Sequence, residues 1–396
     1  MTTELVKDIF WVGYIDWSVR NFHGYITDRG STYNSYLIMG EKNVLVDTVK
    51  AAYAGTLLAN VKAHIDLDKI DYIICNHAEP DHSGSFPAVM AACPNATLVC
   101  NAKCKDALSR HYDTTGWKIQ VIKDTDKLDI GSGRTLQFFD TPMVHWPESM
   151  ATYVVEEGLL FSMDAFGQHY ASAFRFDDES DMTEVMEEAK TYYANIVLPY
   201  GRPVANALKR LGALDLKMVA PSHGVIWRKH FAEIVKCYSA WMVCKPAPKV
   251  IIAYCTMWNN TKKMAEAVAQ GAMEFPVDVK LFNMDTVNNT KLVTEMMDCA
   301  AFAAGSPTLN QGLMPRMASA LTYLRGLKPT GKAGFAFGSF GWASKGAEEC
   351  ATYLQAMQAE PVMPTVNCRF APTEEVLEKC REAGRLLAQK ALEAKQ

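Results

Sequence analysis

Short apolar runs separated by glycine, aspartate, asparagine and proline characterise the chain up to about residue 245. Runs such as "DIFWVGYID", "TYNSYLIMG", "KNVLVDT" and "MATYVVEEGLLFSMD" have the length and composition of β-strands. Two longer segments, "AAYAGTLLANVKAHI" and "DMTEVMEEAKTYYANIVLPY", have helical patterns instead. This mixture predicts stacked β-sheets with helices on the outside.

The segment "CKPAPKV", residues 244–250, carries two prolines, which cannot continue a helix and favour an extended link. We therefore predict two domains, residues 1–246 and 247–396. Beyond the link, strands and helices alternate regularly, from "KVIIAYCT" through a last strand near "VMPTVNCRF" to a final helix. That alternation predicts a doubly wound parallel sheet of five strands, in which ligands bind at the carboxyl ends of the strands.

Composition narrows the class of protein. At 396 residues, 49% hydrophobic and 21% charged, the chain has the composition of a globular protein of two domains. Its net charge of −4 and the lack of long basic runs argue against nucleic acid as a partner. No apolar run is long enough to span a bilayer, and the N-terminus lacks the features of a signal peptide, so we expect a cytoplasmic protein without a membrane partner. The eleven cysteines are scattered without a C-x-x-C pair, which argues against a fused rubredoxin.

The segment "NHAEPDHSG", residues 76–84, follows an apolar strand and contains two imidazoles and two carboxylates. Alternate residues of an extended segment point the same way, so we expect His77, Glu79 and Asp81 to converge, with His82 turned towards a second point. Pro80 and Gly84 argue against a regular element here. The alternative is a polar loop that caps a helix.

Three later segments favour a metal site over a helix cap. "TPMVHWPESM" contains His145, "LLFSMDAFG" contains Asp164, and "MVAPSHGVIW" contains His223, each at the exit of an apolar strand. A single buried histidine is more often a satisfied core residue than a ligand. Four segments of the same type indicate a metal site.

Together these segments resemble the metallo-β-lactamase superfamily, whose loop reads H-x-H-x-D-H, over residues 30–230. Glu79 occupies the position of the second histidine of that loop. A carboxylate in place of an imidazole favours iron or manganese over zinc, so the set approaches a carboxylate-bridged di-iron site. The resemblance implies that one iron is bound by His77, Glu79 and His145, the other by Asp81, His82 and His223, and both by Asp164. The resemblance supports His82 least among these ligands, because the histidine at the equivalent position is displaced by water in some relatives.

A second site is predicted at three strand ends of the C-terminal domain. "YCTMWNNTKKMA", residues 254–265, opens a helix with groups that could bind a phosphate, although a simple helix cap would look similar. With "GSPTLNQG" and "GSFGWASKG" this segment resembles the FMN loops of flavodoxins, and the tryptophans are either stacking or ordinary packing residues. The predicted FMN-binding residues are Thr256, Met257, Trp258, Asn259, Asn260, Thr261, Ser306, Pro307, Thr308, Asn310, Gly338, Ser339, Phe340, Gly341 and Trp342.

The combination resembles the flavodiiron proteins, also called A-type flavoproteins, from end to end, including "FHGY" at residues 22–25 and "YYANIV" at residues 192–197. The resemblance implies FMN and two irons per chain, reduction of dioxygen to water or of nitric oxide to nitrous oxide, and oxygen or NO detoxification in an anaerobe. It also implies a separate donor, rubredoxin or reduced deazaflavin, and a head-to-tail homodimer or dimer of dimers. His23 and Tyr193 are candidates for the substrate pocket, with helix packing as the alternative for Tyr193.

Two rival functions fit parts of the sequence. A hydrolase of the lactamase or glyoxalase type with an appended flavodoxin domain is disfavoured by Glu79. An electron-transfer protein whose first domain has lost its metal is disfavoured by the complete ligand set. The remaining histidines lie in no motif and are interpreted as ordinary residues; they are His64, His111, His169 and His230.

Overall fold

The computed structural model describes residues 2–394. These residues form two compact units. Unit 1 comprises residues up to 192 together with 200–239, and unit 2 comprises residues 193–199 together with those from 240 onwards. The predicted boundary after residue 246 therefore falls a short way into unit 2.

Unit 1 contains sixteen strands among its described residues. They are β1 Thr3–Val6, β2 Ile9–Trp11, β3 Tyr14–Asp16, β4 Asn21–Phe22, β5 Tyr25–Ile26, β6 Ser31–Tyr33, β7 Tyr36–Ile38, β8 Asn43–Val46, β9 Ile70–Ile74, β10 Thr97–Asn101, β11 Ile119–Ile122, β12 Lys127–Asp129, β13 Thr135–Asp140, β14 Met150–Val154, β15 Leu159–Met163 and β16 Met218–Pro221. The helices are α1 Ala54–Lys62, α2 Pro80–Ser83, α3 Phe86–Ala92, α4 Ala102–His111, α5 Met182–Tyr192, α6 Gly201–Leu211 and α7 Phe231–Trp241.

Two mixed sheets face each other in unit 1. The first has the order β1-β2-β7-β8-β9-β10-β11 and the second runs β12 to β16 in sequence. Their inner faces share one apolar core, in which Trp11 and Ile74 of the first sheet cluster with Phe138 and Phe161 of the second. This arrangement confirms the predicted lactamase-like sandwich with helices outside. Strands β8, β9 and β10 are parallel, as are β15 and β16, so the loops that follow them leave from common edges.

Two segments of the chain before residue 201 differ from the prediction. "DIFWVGYID" forms two strands, β2 and β3, which belong to different sheets. The long helix predicted over residues 181–200 ends as an α-helix at Tyr192 and continues as a π-helical turn, Tyr193–Val197, and a 3-10 turn, Leu198–Tyr200. Pro199 lies in the 3-10 turn and lacks the N–H that an α-helical ladder would need there, so the α-helix cannot continue unbroken to residue 200.

Unit 2 is a parallel sheet of order β18-β17-β19-β20, with β21 and β22 both paired to β20. The strands are β17 Lys249–Tyr254, β18 Asp278–Asn283, β19 Ala301–Gly305, β20 Ala333–Phe340, β21 Glu360–Pro361 and β22 Val366–Arg369. The helices are α8 Asn260–Ala272, α9 Asn289–Met296, α10 Pro315–Leu327, α11 Gly346–Ala356 and α12 Glu374–Glu393. The doubly wound, flavodoxin-like sheet is confirmed.

The fifth strand of this sheet is divided, whereas one strand was predicted near "VMPTVNCRF". Pro361 and Pro364 lack the N–H groups that an unbroken ladder requires, so pairing with β20 stops after β21 and resumes at Val366. The core of the unit lies between the sheet and helices α8 and α12, where Ile252, Met264 and Leu387 are buried together. Among residues 2–394, no helix is both long and apolar enough to cross a membrane.

Candidate metal centre and flavin pocket

Seven side chains of unit 1 gather in two adjacent groups. All are buried except His145, which is mostly buried. In each group the candidate ligand atoms lie within 4.8 Å of one another. The first group is His77, Glu79, His145 and Asp164, and the second is Asp81, His82 and His223.

The loop after β9 divides its four ligand-type residues between the two groups. The chain is extended at Glu79, and Pro80 then begins the one-turn helix α2. Proline is well suited to the first position of a helix, where its missing N–H has no partner to lose. The expectation that Glu79 and Asp81 would converge in an extended segment is therefore wrong, because the helical turn directs Asp81 and His82 together towards His223.

Asp164 lies between the two groups with one oxygen facing each. Its Oδ2 is 3.5 Å from Nε2 of His77 and 3.2 Å from Nε2 of His145. Its Oδ1 is 3.2 Å from Nε2 of His82 and 3.5 Å from Nε2 of His223. This geometry suits a carboxylate that bridges two cations.

Several of these buried atoms lack hydrogen bonds, although unsatisfied polar atoms are costly inside a protein. Among the residues the structure describes, neither oxygen of Asp164 and neither ring nitrogen of His82 has a hydrogen-bond partner. Oδ1 of Asp81 lacks one as well. Metal ions would supply the missing partners, and the mixture of imidazole and carboxylate donors suits iron.

Glu79 contacts three histidines. Its Oε2 is 3.1 Å from Nε2 of His77 and 3.2 Å from Nε2 of His145, and its Oε1 is 2.8 Å from Nε2 of His23. In the second group, Oδ2 of Asp81 is 3.2 Å from Nε2 of His223. Each group therefore combines histidine nitrogens with a carboxylate of its own, in addition to Asp164.

Mutual attraction between carboxylates and imidazoles decides the charge state of the metal-free site. Burial works to lower the pKa of His82, but the carboxylates of Asp81 and Asp164 raise it to about 10. Burial also opposes charge on His145, and yet contacts with Asp164 and Glu79 raise its pKa to about 10. Against the effect of burial, the neighbouring histidines hold the pKa values of Glu79 and Asp164 well below their ordinary range. Bound cations would replace the imidazole protons.

Outer contacts fix the orientation of two of the histidine rings. Nδ1 of His77 is 2.8 Å from Oε1 of Glu148, and Nδ1 of His223 is 2.6 Å from the main-chain oxygen of Thr32. These contacts at Nδ1 orient both rings so that Nε2 is the nitrogen that faces the site and can bind metal. Gly224 follows His223 at φ +78°, and a Cβ there would lie 2.1 Å from Oε1 of Gln168, so only glycine fits this turn.

Glu148 was not predicted, although it lies in the same segment as His145. We expect Glu148→Gln to weaken iron binding roughly 10–100-fold. The amide keeps the shape of the Glu148 side chain, but without the negative charge His77 becomes less basic and its ring is held less firmly in place. Competition with a calibrated chelator measures that change. Glu156→Gln, on the exposed turn between β14 and β15, is the control and should bind iron as the wild type does.

A cavity of about 590 Å³ opens beside Glu79 and Asp81. His23, Lys50, His111 and Tyr112 contribute to its lining. The side chain of His23 is 68% exposed, yet its Nε2 contacts Glu79, so it connects the cavity to the first group.

His169 and Tyr192 also lie beside the site, although His169 was interpreted as an ordinary residue. The ring centroids of His169 and His223 are 4.7 Å apart, and those of Tyr192 and His223 are 6.0 Å apart. Nδ1 of His169 is 2.6 Å from the hydroxyl of Ser31. Tyr193 packs against Trp241 in unit 2, with 5.3 Å between centroids.

The predicted flavin loops surround a cavity of about 600 Å³ at the carboxyl edge of the sheet in unit 2. Trp258 and Trp342 stand at this cavity with 84% and 91% of their surface exposed, which argues against the interpretation that they are packing residues. The predicted residues that line it are Met257, Trp258, Asn260, Pro307, Thr308, Asn310, Ser339, Phe340, Gly341 and Trp342. Four further lining residues were not predicted: Leu309, Gln311, Ala343 and Phe370.

The other predicted residues shape the loops around this cavity. Thr261 and Ser339 share a hydrogen bond of 2.8 Å, and Ser306 accepts one from the N–H of Met314. A Cβ on Gly338 would lie 2.1 Å from the carbonyl oxygen of Ser306, so the two loops approach as only glycine allows. Further predicted residues precede α8: Asn259 adopts a left-handed conformation, and Oγ1 of Thr256 is buried without a hydrogen-bond partner within residues 2–394.

Comparisons with known proteins agree with this architecture. The model of the ODP family beta lactamase matches residues 32–224, and the flavodoxin model matches residues 252–384. The nitric oxide reductase of Moorella thermoacetica is 40% identical over 389 residues, covering 97% of each chain.

Two solved structures superimpose over the whole chain. The flavodiiron protein from Giardia intestinalis has a TM-score of 0.96 and 37% identity, covering 100% of this chain and 98% of that one. The rubredoxin oxygen:oxidoreductase from the anaerobe Desulfovibrio gigas has a TM-score of 0.97 and 35% identity, covering 100% and 99%.

A lactamase-like unit with two carboxylate-rich ligand groups, followed by a flavodoxin-like unit, defines an oxidoreductase with a metal centre and a flavin domain. The chain belongs to the flavodiiron protein family.

Proposed function

We propose that the protein reduces dioxygen to water, nitric oxide to nitrous oxide, or both, at a di-iron centre supplied with electrons by FMN. The observation that carries this proposal is the position of Asp164, whose two oxygens face two separate ligand groups that each contain a carboxylate. Nitrogen-rich ligation would suit a hydrolytic zinc site instead. The names of the Moorella and Desulfovibrio relatives support both gases as substrates.

In this proposal His77, Glu79 and His145 hold one iron, Asp81, His82 and His223 hold the other, and Asp164 binds both. When bound, the irons supply the electrons and the open coordination positions that bind the gas. The side chains of the protein orient the metal ligands and supply protons to the reaction. His23 is placed to carry a proton from the cavity to the neighbourhood of Glu79. Tyr193 was the second candidate for the substrate pocket. Because Tyr192 contacts His169 and His223, we propose Tyr192 in its place.

The cavity of unit 2 is proposed to hold FMN, with the phosphate at the N-terminus of α8 and the ring beside Trp258 and Trp342. Helix N-termini bind anions through free N–H groups and the helix dipole. A head-to-tail homodimer or dimer of dimers would set one chain's FMN beside the other's irons. The name of the Desulfovibrio relative supports rubredoxin as the electron donor. All eleven cysteines are free, and the proposed cytoplasm of an anaerobe would keep them reduced.

Thr256→Val tests the phosphate site. Because the buried hydroxyl lacks a partner, we propose that it donates to the phosphate, and a hydrogen bond to a charged group contributes roughly 1.5–3 kcal/mol. Loss of that free energy should weaken FMN binding by the variant about 10–150-fold. Titration of flavin-free protein, followed by quenching of FMN fluorescence, measures the constant. Thr286→Val, at an exposed turn of the same unit, should bind FMN normally.

The whole proposal is tested by anaerobic stopped flow on purified protein whose metal and flavin content are measured on the same sample. Two irons and one FMN per chain, with rapid flavin reoxidation on mixing with dioxygen or with nitric oxide, are expected. The ratio of the two rates then assigns the substrate. Zinc in place of iron, or a reduced flavin that reacts with neither gas, would contradict the proposal and favour the hydrolase.

A further inference from the structure

Three tyrosine rings form a continuous series that begins beside ligand candidate His223. Tyr33 is fully buried, and its ring centroid lies 5.9 Å from that of His223. Tyr53 follows at 5.7 Å from Tyr33 with the ring planes 24° apart, and Tyr14 stacks on Tyr53 at 3.7 Å and 12°. Tyr53 and Tyr14 are partly exposed, so the series runs from the metal centre to solvent within unit 1.

One buried carboxylate serves two of these phenols. Oδ2 of Asp16 accepts a hydrogen bond of 2.7 Å from the hydroxyl of Tyr53 and a longer one of 3.4 Å from that of Tyr33. Oδ1 is held by N–H groups of Ser18 and Val19, each at 3.1 Å. Burial works to raise the pKa of Asp16, but the hydrogen bonds from Tyr53 and Ser18 lower it, so the carboxylate is ionised at neutral pH.

A fixed positive charge lies over the innermost tyrosine. Nζ of Lys50 is 4.8 Å from the centroid of the Tyr33 ring. A cation in this position disfavours positive charge on the ring. Oxidation of Tyr33 is therefore favourable only if the phenol loses its proton as well as an electron, and Oδ2 of Asp16 is within reach of that proton.

From this geometry we propose that Tyr33, Tyr53 and Tyr14 conduct oxidising equivalents away from the metal centre when dioxygen reacts before the protein holds all the electrons it needs. This inference rests on the proposed function, which supplies the oxidant. It assigns the chain a protective activity: the strong oxidant would otherwise attack the buried ligands and the aromatic rings around them.

Each step of this relay balances. Tyr33 gives one electron to the oxidised centre and its proton to Asp16, leaving a neutral phenoxyl radical. Tyr53 then gives one electron to Tyr33, whose proton returns from Asp16 while Asp16 accepts the proton of Tyr53. Tyr14, which is partly exposed, next gives one electron to Tyr53 and its proton to water, while Asp16 returns a proton to Tyr53. A small thiol in solution restores the Tyr14 phenol by donating one electron and one proton, and two of the resulting thiyl radicals combine to form a disulfide.

Freeze-quench electron paramagnetic resonance tests the relay in the iron-loaded, FMN-containing full chain. Protein given two electrons per chain, fewer than the four that reduce dioxygen to water, is mixed with dioxygen. We expect a phenoxyl signal that narrows when the protein is made with ring-deuterated tyrosine, which separates it from a flavin radical. A nitroso spin trap should form an adduct that mass spectrometry places on Tyr14 or Tyr53.

Variants distinguish a relay from structural packing. Tyr33→Phe should lose most of the signal and the adduct, and Asp16→Asn, which keeps the side-chain shape, should reduce both. Tyr153→Phe is the control and should leave both unchanged, since that hydroxyl donates to the main-chain oxygen of Asp215. If Tyr33→Phe fails to fold, Tyr53→Phe carries the test, with the adduct lost from both outer positions.

The outcomes separate this inference from the proposed function. Rapid reoxidation by dioxygen without any tyrosine signal, or with an adduct elsewhere in the chain, would overturn the relay and leave the reductase intact. An equal signal in Tyr33→Phe and the wild type would overturn it too. An iron-loaded protein that does not react with dioxygen or with nitric oxide would overturn both proposals together.

Discussion

Asp164→Asn is expected to remove most of the iron from the protein and, with it, the reduction of either gas. The substitution replaces one carboxylate oxygen of Asp164 by an NH₂ group that cannot bind a cation. It also removes the negative charge that lies among four histidine nitrogens. The effect should exceed the roughly 10–100-fold that loss of an outer contact such as Glu148 produces. Metal analysis and anaerobic stopped flow on one preparation measure both losses.

The control for this variant is another buried aspartate of unit 1. Asp177 accepts hydrogen bonds from the main-chain N–H groups of Arg228 and His230 and stands outside both ligand groups. Asp177→Asn should lower the thermal midpoint while keeping two irons and the wild-type rates. FMN content should be unchanged in both variants, because the flavin cavity belongs to unit 2. An Asp164→Asn protein that keeps two irons and reacts normally would contradict the bridging role.

The sequence was most informative where chemistry requires particular side chains. The ligand-type residues of "NHAEPDHSG" could be identified because the segment directly follows strand β9. The parallel pairing of β8, β9 and β10 brings the loops after these strands to one edge of the sheet. How they divide between two groups was implied only by the family resemblance and not by the pattern of the segment itself, since the division depends on a single helical turn begun by Pro80. A four-residue helix produces too short a pattern to be recognised.

The outer contacts of the site could not be predicted either. Thr32 acts through its main-chain oxygen, which every residue possesses, so its identity carries no signal. His169 depends on Ser31, 138 positions away in the chain. Tyr192 and Tyr193 are adjacent in sequence, and only the change from α-helix to π-helix after Tyr192 fixes what each ring contacts. Phe370, in contrast, follows β22, and the rule that ligands bind at carboxyl ends would have included it.

Glu79→His should convert the site from iron to zinc and abolish the reduction of dioxygen and nitric oxide. The substitution restores the H-x-H-x-D-H pattern of hydrolytic relatives and removes a carboxylate that contacts His23, His77 and His145. Nitrogen-rich ligation suits zinc, which has no redox chemistry to offer the flavin. Reconstitution of metal-free protein with equal amounts of both metals, followed by metal analysis, measures the preference.

Glu79→Asp is the matched variant, because it shortens the side chain but keeps the carboxylate. It should still prefer iron and retain part of the activity, whereas Glu79→His should prefer zinc and have none, with FMN bound normally in both. If Glu79→His takes up two irons and reoxidises its flavin at the wild-type rate, position 79 does not select the metal. The selection would then have to come from Asp81 and Asp164, the carboxylates that Glu79→His leaves in place.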